Sequence, residues 1–446
     1  MKIKEYLDYF TKEQCSCGKA HTFLIKEIIA EKGAIKKLPE LIRKYNFKKP
    51  FILADVNTFK ACGENVCEIL QGDNITFSQY VFPDLELGPD ETAVGSLIMH
   101  FDVTCDLIIA VGSGVLNDLG KILANAAKLP YYIVATAPSM DGYASATSSM
   151  AMGGVKVTIP SKCADVIIGD IDVLKNAPVK MLQAGLGDML AKYVSLAEWK
   201  IAHEIIGEYY CERVADLVRV ALKKCVDNAE GLLNRDEIAV KAVFEGLVIG
   251  GVAMAFAGMS RPASGVEHYF SHVWDMRGQE FGTKVELHGI QCAVATKIAA
   301  RLYEKLSKTI PNKQKALDFV SSFDYDAWAE ELRAFIGKGA DNMIALEKKE
   351  QKYDKQQHAK RLEIILKKWD VICEIIKTEI PSEKEIDRIL TAIGSPNTPK
   401  EIGIDCDVFM TFKATKDIRD KYVLSRLLWD LGETEDFKVG VGTADI

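Results

Sequence analysis

The chain has 446 residues, a formal net charge of −7 and 48% apolar residues. That length is ample for two domains, and the apolar share can fill a large core in each. The acidic balance argues against a nucleic-acid surface, which carries an excess of Lys and Arg.

The first residues, MKIKEYLDYFTKEQ, carry charge throughout and lack the apolar core of a signal peptide. Next comes EQCSCGKAHTF, where Cys15, Cys17 and His21 stand at a spacing that could begin a zinc site, although no matching pair follows nearby. The other cysteines of the eleven are scattered through apolar segments, as reduced thiols of a cytoplasmic chain would be. Residues 1–175 alternate β-rich runs with helical patterns. FILADVN (51–57), DLIIAVGSG (106–114) and LPYYIVATAPS (129–139) read as strands. Such alternation predicts a Rossmann-like parallel sheet with helices on both faces, which binds ligands at the carboxyl ends of its strands. Asp55, Gly112 to Gly114 and Thr136 to Ser139 fall at such ends.

From Asn176 onward strand-like runs vanish. Amphipathic patterns over 177–206, 208–233, 236–259 and 285–307 predict an all-helical second domain, 176–446. The longest uncharged run, Gly246 to Met259, is shorter than the ~20 residues of a spanning helix, so a buried helix and no membrane insertion are expected. The stretch 340–385 reads as one charged helix with a solvated outer face.

Four segments carry chemistry. GSGVLNDLGK follows a strand and opens a helix, so its backbone N–H groups can cradle an anion such as a pyrophosphate. Its spacing is not the G-x-G-x-x-G of ordinary dinucleotide folds. TAPSMDGYASATSS supplies hydroxyls at Thr136, Ser139 and Ser145 and a carboxylate at Asp141; it reads equally as a polar loop turning at Asp141-Gly142. QAGLGDMLAK sets Asp188 after a Gly-x-Gly turn, on the first turn of an apolar helix, where Asp also serves as a plain N-cap. Finally, Ser260 to His288 holds three of the seven histidines: His268, His272 and His288. The first two lie one helical turn apart and share a face. Imidazole is both a common metal ligand and the best acid–base group near neutral pH, so the cluster points to a metal site with a proton-transfer group beside it.

In this order the motifs GSGxxND, TAPSxDGxxS, GxGDxxxKxxSLAxW and SRPASGxEHxxSH…LHG resemble the glycerol-1-phosphate dehydrogenases, the bacterial type in particular. Their superfamily also holds dehydroquinate synthase, glycerol dehydrogenase and the iron-dependent alcohol dehydrogenases. The resemblance covers about residues 45–300 and leaves out both the Cys-x-Cys segment and the C-terminal third. It implies a dehydroquinate synthase-like fold and a dehydrogenase interconverting sn-glycerol 1-phosphate and dihydroxyacetone phosphate by hydride transfer at C2. Asp188, His268 and His288 would ligate one divalent ion, Zn or Ni, leaving positions for substrate oxygens. His272 would carry the proton, with Asp188 also touching substrate. NAD or NADP would lie along the first domain on Gly112, Ser113, Gly114, Val115, Leu116, Asn117 and Asp118, with Thr136, Ala137, Pro138, Ser139 and Ser145 beside it. Asp55 at its strand end suits the ribose hydroxyls, and Asp141 the substrate. Iron alcohol dehydrogenases carry a fourth ligand, a His, where Lys192 stands here. Lys192 and Arg261 suit a small phosphorylated substrate, and each reads equally as a member of an ordinary surface or inter-helix ion pair. A homodimer is also implied. A polyol dehydrogenase, a dehydroquinate-synthase-like lyase and a catalytically silent relative are the rival readings.

Overall fold

The computed structural model describes residues 3–12, 14–153 and 155–442. The chain splits into two compact units. Unit 1 is Met1–Met189 with Asp216–Met259; unit 2 is Leu190–Ala215 with Ser260–Ile446.

Unit 1 opens on helix α1 (Ile3–Lys12) and is built around a sheet of six strands. In chain order these are β1 (Glu27–Glu31), β2 (Pro50–Asp55), β3 (Ser78–Phe82), β4 (Leu107–Gly112), β5 (Tyr131–Ala135) and, after a hairpin, β8 (Val166–Asp170). Their spatial order is β1-β8-β5-β4-β2-β3, and every pair is parallel. Sequences such as PFILAD, LIIAVG and YYIVA are apolar almost throughout and buried at every position. That is the signature of a parallel strand covered on both faces. One face packs Ile52, Ile109, Val134 and Ile168 against Leu38, Ile42, Val66 and Leu70. The hairpin, β6 (Thr147–Met152) with antiparallel β7 (Val155–Pro160), occupies part of the stretch expected to be a polar loop.

The strand order places a topological switch. From β2 the chain moves outward to β3, then returns past β2 to β4 and continues the other way. β2 and β4 are neighbours whose connections leave in opposite directions, so a crevice opens at their carboxyl ends. Those ends are Asp55 and Gly112. Helix α2 (Gly114–Ala127) rises from the second of them.

Helix α3 (Val179–Ile206) contributes its residues up to Met189 to this unit. Asp188 lies well inside α3. The Gly-x-Gly that precedes it is helical rather than a turn, which corrects the expected first-turn position. The reason is packing: a Cβ on Gly185 would lie 1.7 Å from the carbonyl oxygen of Pro138, so glycine is what lets the helix touch the TAPS loop. Helix α4 (Glu237–Ala257) is apolar and long enough to cross a membrane, yet 72% of its most apolar stretch is buried inside the protein, as in a core helix.

Among the described residues no strand follows Asp170, and unit 2 is helical. Helices α5 (Val266–Phe281) and α6 (His288–Leu306) carry the three clustered histidines. Trp328, Leu332, Ile336, Met343, Tyr353 and Trp429 form a second core. The stretch 340–385 departs from expectation. It is three helices, Ala340–Glu350, Lys355–Lys367 and Trp369–Glu379, with a fourth beginning at Glu383. Met343, Ile344, Leu362, Ile365, Ile372 and Ile376 are buried, and so are the polar Glu347, Lys352 and His358. The charge is therefore not confined to a solvated face.

Candidate active site

In unit 1 the candidate residues gather at the ends of β2, β4 and β5. Ser113 is the N-cap residue of α2, but its hydroxyl does not cap the helix. It turns instead to Ser139 Oγ at 2.6 Å. The helix thus begins with amide donors that its own N-cap side chain leaves to other acceptors. Val115 and Leu116 present this feature through the backbone. Gly112 is glycine for internal reasons, since a Cβ there would strike Leu116. Gly114 is different: a Cβ would meet only Met140, at 3.6 Å, in ordinary van der Waals contact. Bare backbone at a helix start is what an anionic ligand requires.

The TAPSMDG loop is held from below. Lys121, wholly buried, donates through Nζ to the carbonyls of Gly142 (3.0 Å) and Thr147 (2.7 Å) and to Ser145 Oγ (3.1 Å). It also pairs with Asp118 at 3.2 Å, and Asp118 accepts from the amide of Ser149 at 3.1 Å. Asn117 donates to the Gly142 carbonyl at 3.1 Å. Asn117, Asp118 and Ser145 therefore shape the loop. Thr136 N donates to the Gly112 carbonyl, and Tyr143 Oη to that of Ala137. Farther along, the backbone amide of Asp141 donates to Asp188 Oδ2 at 2.9 Å. That bond orients a fully buried carboxylate and links the two acidic residues that sequence analysis singled out separately. Asp55 caps the short helix after β2: Oδ1 accepts from the Thr58 amide, and Thr58 Oγ1 accepts from the Asp55 amide.

In unit 2 the histidines come together. The rings of His268 and His288 lie 5.1 Å apart, and His272 stacks on His288 at 5.8 Å. His268 and His288 are each braced at Nδ1. Glu267 Oε1 accepts from His268 Nδ1 at 2.8 Å, which leaves the lone pair on Nε2. Ser271 Oγ lies 2.7 Å from His288 Nδ1. A carboxylate or hydroxyl behind an imidazole is the usual support of a metal-binding histidine. The ligating atoms of His268, His288 and Cys292 all lie within 4.8 Å of one another, with Cys292 Sγ 3.6 Å from His288 Nε2.

Behind this cluster lies a group that sequence analysis missed. Glu198 accepts from the amides of Val266 (2.9 Å) and Leu424 (2.8 Å) and from Tyr303 Oη (3.0 Å). Burial, with the negative Glu267 nearby, pushes its carboxyl up to about 8. The only signals were the Glu of SLAEW and the Glu before His268, and nothing in the sequence says that these two meet. Lys192 is wholly buried on α3. Arg261 sits in an ion pair, one of its two expected readings. Its Nε and Nη2 grip Glu208 at 2.8 and 2.5 Å, and Nη1 donates to the Tyr422 carbonyl at 3.0 Å. The guanidinium fork that suits phosphate is here engaged by a carboxylate.

Residues 29–178 match the family model described as iron-containing alcohol dehydrogenase. The glycerol-1-phosphate dehydrogenase [NAD(P)+] of Geobacillus thermodenitrificans is 29% identical across 88% of this chain and 89% of its own length. That of Halalkalibacterium halodurans is 32% identical, with 65% of this chain and 74% of the relative covered. The chain belongs to the glycerol-1-phosphate dehydrogenase family. This family of oxidoreductases is metal-dependent, uses NAD(P) and acts on small molecules. The Pyrococcus horikoshii member is 34% identical across 62% of this chain and 78% of its own length, so the kinship spans bacteria and archaea. The fold is that of a crystallised glycerol dehydrogenase from Schizosaccharomyces pombe, with a TM-score of 0.61 and 16% identity over 95% of this chain and 93% of that one. A maleylacetate reductase from Rhizobium sp. strain MTP-10005 shares it, with a TM-score of 0.58 and 13% identity over 95% and 98%.

Proposed function

We propose that this glycerol-1-phosphate dehydrogenase family member interconverts sn-glycerol 1-phosphate and dihydroxyacetone phosphate with NAD(P), using one divalent ion, Zn or Ni. The observation that carries the reading is the His268–His288 pair with each Nδ1 braced, one by Glu267 and the other by Ser271. Asp188, His268 and His288 would hold the ion. Once bound, it would supply Lewis acidity to the substrate oxygen, and the nicotinamide would supply or accept the hydride. Three protein donors leave positions for substrate.

The chain's own residues do the rest. The amide of Asp141 aims the Asp188 carboxylate. His272 moves the proton to or from the substrate oxygen. The amides at the start of α2, over bare Gly114, receive the cofactor pyrophosphate, with Thr136 to Ser139 and Ser145 along its path and Asp55 at the ribose. Lys192 is the cation assigned to the substrate phosphate, and Asp141 contacts the substrate. Residues 1–175 serve the nucleotide and 176–446 the metal and catalysis, in a cytoplasmic homodimer. The test is NADH oxidation by metal-loaded protein with dihydroxyacetone phosphate or with dihydroxyacetone. Turnover with the phosphate ester alone is expected. Equal rates with both would make this a polyol dehydrogenase, and no rate with either would sink the assignment.

A further inference from the structure

Cys15, Cys17 and His21 lie outside the catalytic cluster and outside the region that carries the family motifs. Residues 14–26 contain no helix or strand, yet Cys15, His21 and Ile25 are buried. A buried irregular segment needs something other than a backbone ladder to hold it. Within unit 1, three donor side chains of this segment converge. The ligating atoms of Cys15, Cys17 and His21 lie within 4.8 Å of one another. Cys17 Sγ is 3.4 Å from His21 Nε2. A tetrahedral zinc with ordinary Zn–S and Zn–N bonds would set such a pair about 3.6 Å apart.

Two further features prepare the donors. The Phe256 carbonyl, an obligate acceptor, sits 3.1 Å from His21 Nδ1. The proton is therefore on Nδ1, and Nε2 offers its lone pair toward Cys17, the tautomer that binds metal. The His21 ring is held between Phe10 (5.8 Å) and Phe256 (5.6 Å). On the sulfur side the chain folds tightly. Gly18 N donates to the Cys15 carbonyl, Gly18 takes φ +78°, and the Lys19 amide points at Cys17 Sγ at 3.5 Å. The turn is what brings both sulfurs of a Cys-x-Cys to one side.

We infer that Cys15, Cys17 and His21 hold a structural zinc ion, completed to a tetrahedron by a fourth donor, which staples the N-terminal segment to α4 through the His21–Phe256 hydrogen bond. The site is distinct from the catalytic one and takes no part in turnover. A bare thiol–imidazole hydrogen bond would give the same Cys17–His21 distance, and metal binding separates the two.

The experiment uses the full chain as purified. Elemental analysis should find one zinc per chain beyond the catalytic ion, lost in Cys17→Ser and in His21→Gln but kept in Asp188→Asn. Because a variant lacking the staple could misfold, a second measurement uses the wild-type chain. Exchange with Co(II) should produce thiolate-to-cobalt charge-transfer absorption in the near ultraviolet. That band should persist in Cys292→Ser, whose sulfur lies by the catalytic histidines, and vanish in Cys15→Ser. A wild-type chain with no ion beyond the catalytic one, or a band that disappears in Cys292→Ser and survives in Cys15→Ser, overturns the inference.

Discussion

A metal-binding imidazole almost always has its other nitrogen held, and His268 and His288 show that pattern with different partners. Glu267 is a buried carboxylate beside His268, while Ser271 is a neutral hydroxyl one helical turn before Asp275 on α5. His272 shares the face and stacks on His288 but has no role as a ligand in this reading. The pair predicts a contrast. His288→Ala, like Asp188→Asn, should lose bound metal and nearly all turnover while the fold persists, because three ligands leave none to substitute. His272→Ala should keep its metal while kcat falls by ~10²–10⁴, the usual worth of a positioned acid–base group. Metal analysis beside kinetics checks both. Metal loss in His272→Ala equal to that in His268→Ala would exchange the roles.

Two element-scale contacts decide whether the loop and helix ends form a site. The first is α3 against the TAPS loop, where Gly185 leaves no room for a methyl group. Gly185→Ala must push helix and loop apart and break the Asp141–Asp188 hydrogen bond. Overpacking of this kind costs about 1–3 kcal/mol. A lowered Tm and reduced metal retention are expected; unchanged values for both would mean that the close approach is not needed. The second is the carboxyl end of β2. Asp55 spends one oxygen on the Thr58 amide, and the other can accept from a ribose hydroxyl. A carboxylate there repels a 2′-phosphate, so NADH should be preferred to NADPH. Asp55→Ser should shift the ratio of kcat/KM toward NADPH. A ratio that stays put would leave Asp55 as a cap alone.

At the scale of the whole molecule, unit 2 has buried polar groups set beside its apolar core. Lys352 donates to the carbonyls of Lys416 (3.0 Å) and Arg419 (2.5 Å) from a nearly sealed position. Burial pushes its ammonium down to about 8. Above that value the folded chain has released a proton that the unfolded chain keeps until about pH 10.4. Stability from this group therefore rises with pH between those limits. Lys352→Met should flatten the rise in a series of Tm measurements across that window. A slope identical to wild type would show that the ammonium is not desolvated.

Much of the architecture is local in origin and was legible in the residues. Strands β2, β4 and β5 announce themselves because a strand buried on both faces must be apolar throughout. The helical periodicity over 177–206 and 285–307 maps closely onto Val179–Ile206 and His288–Leu306. The pairing of His268 with His272 was visible because four residues make about one helical turn, and α5 and α6 bring the His288 ring to them. Other features depend on partners distant in sequence. Arg261 looks like a phosphate fork until Glu208 closes on it. The Gly-x-Gly before Asp188 reads as a turn until Pro138 shows why a helix needs glycine there. Ser113 is a helix-capping residue type that turns to Ser139 instead. Glu198 and Glu267 meet only in three dimensions, and the zinc-type spacing of Cys15, Cys17 and His21 lacks meaning until Phe256 fixes the tautomer. Backbone propensity and burial periodicity act over a few residues and can be read along the chain. The partner of a buried charge or an imidazole is set by packing between elements, and only the folded structure supplies it.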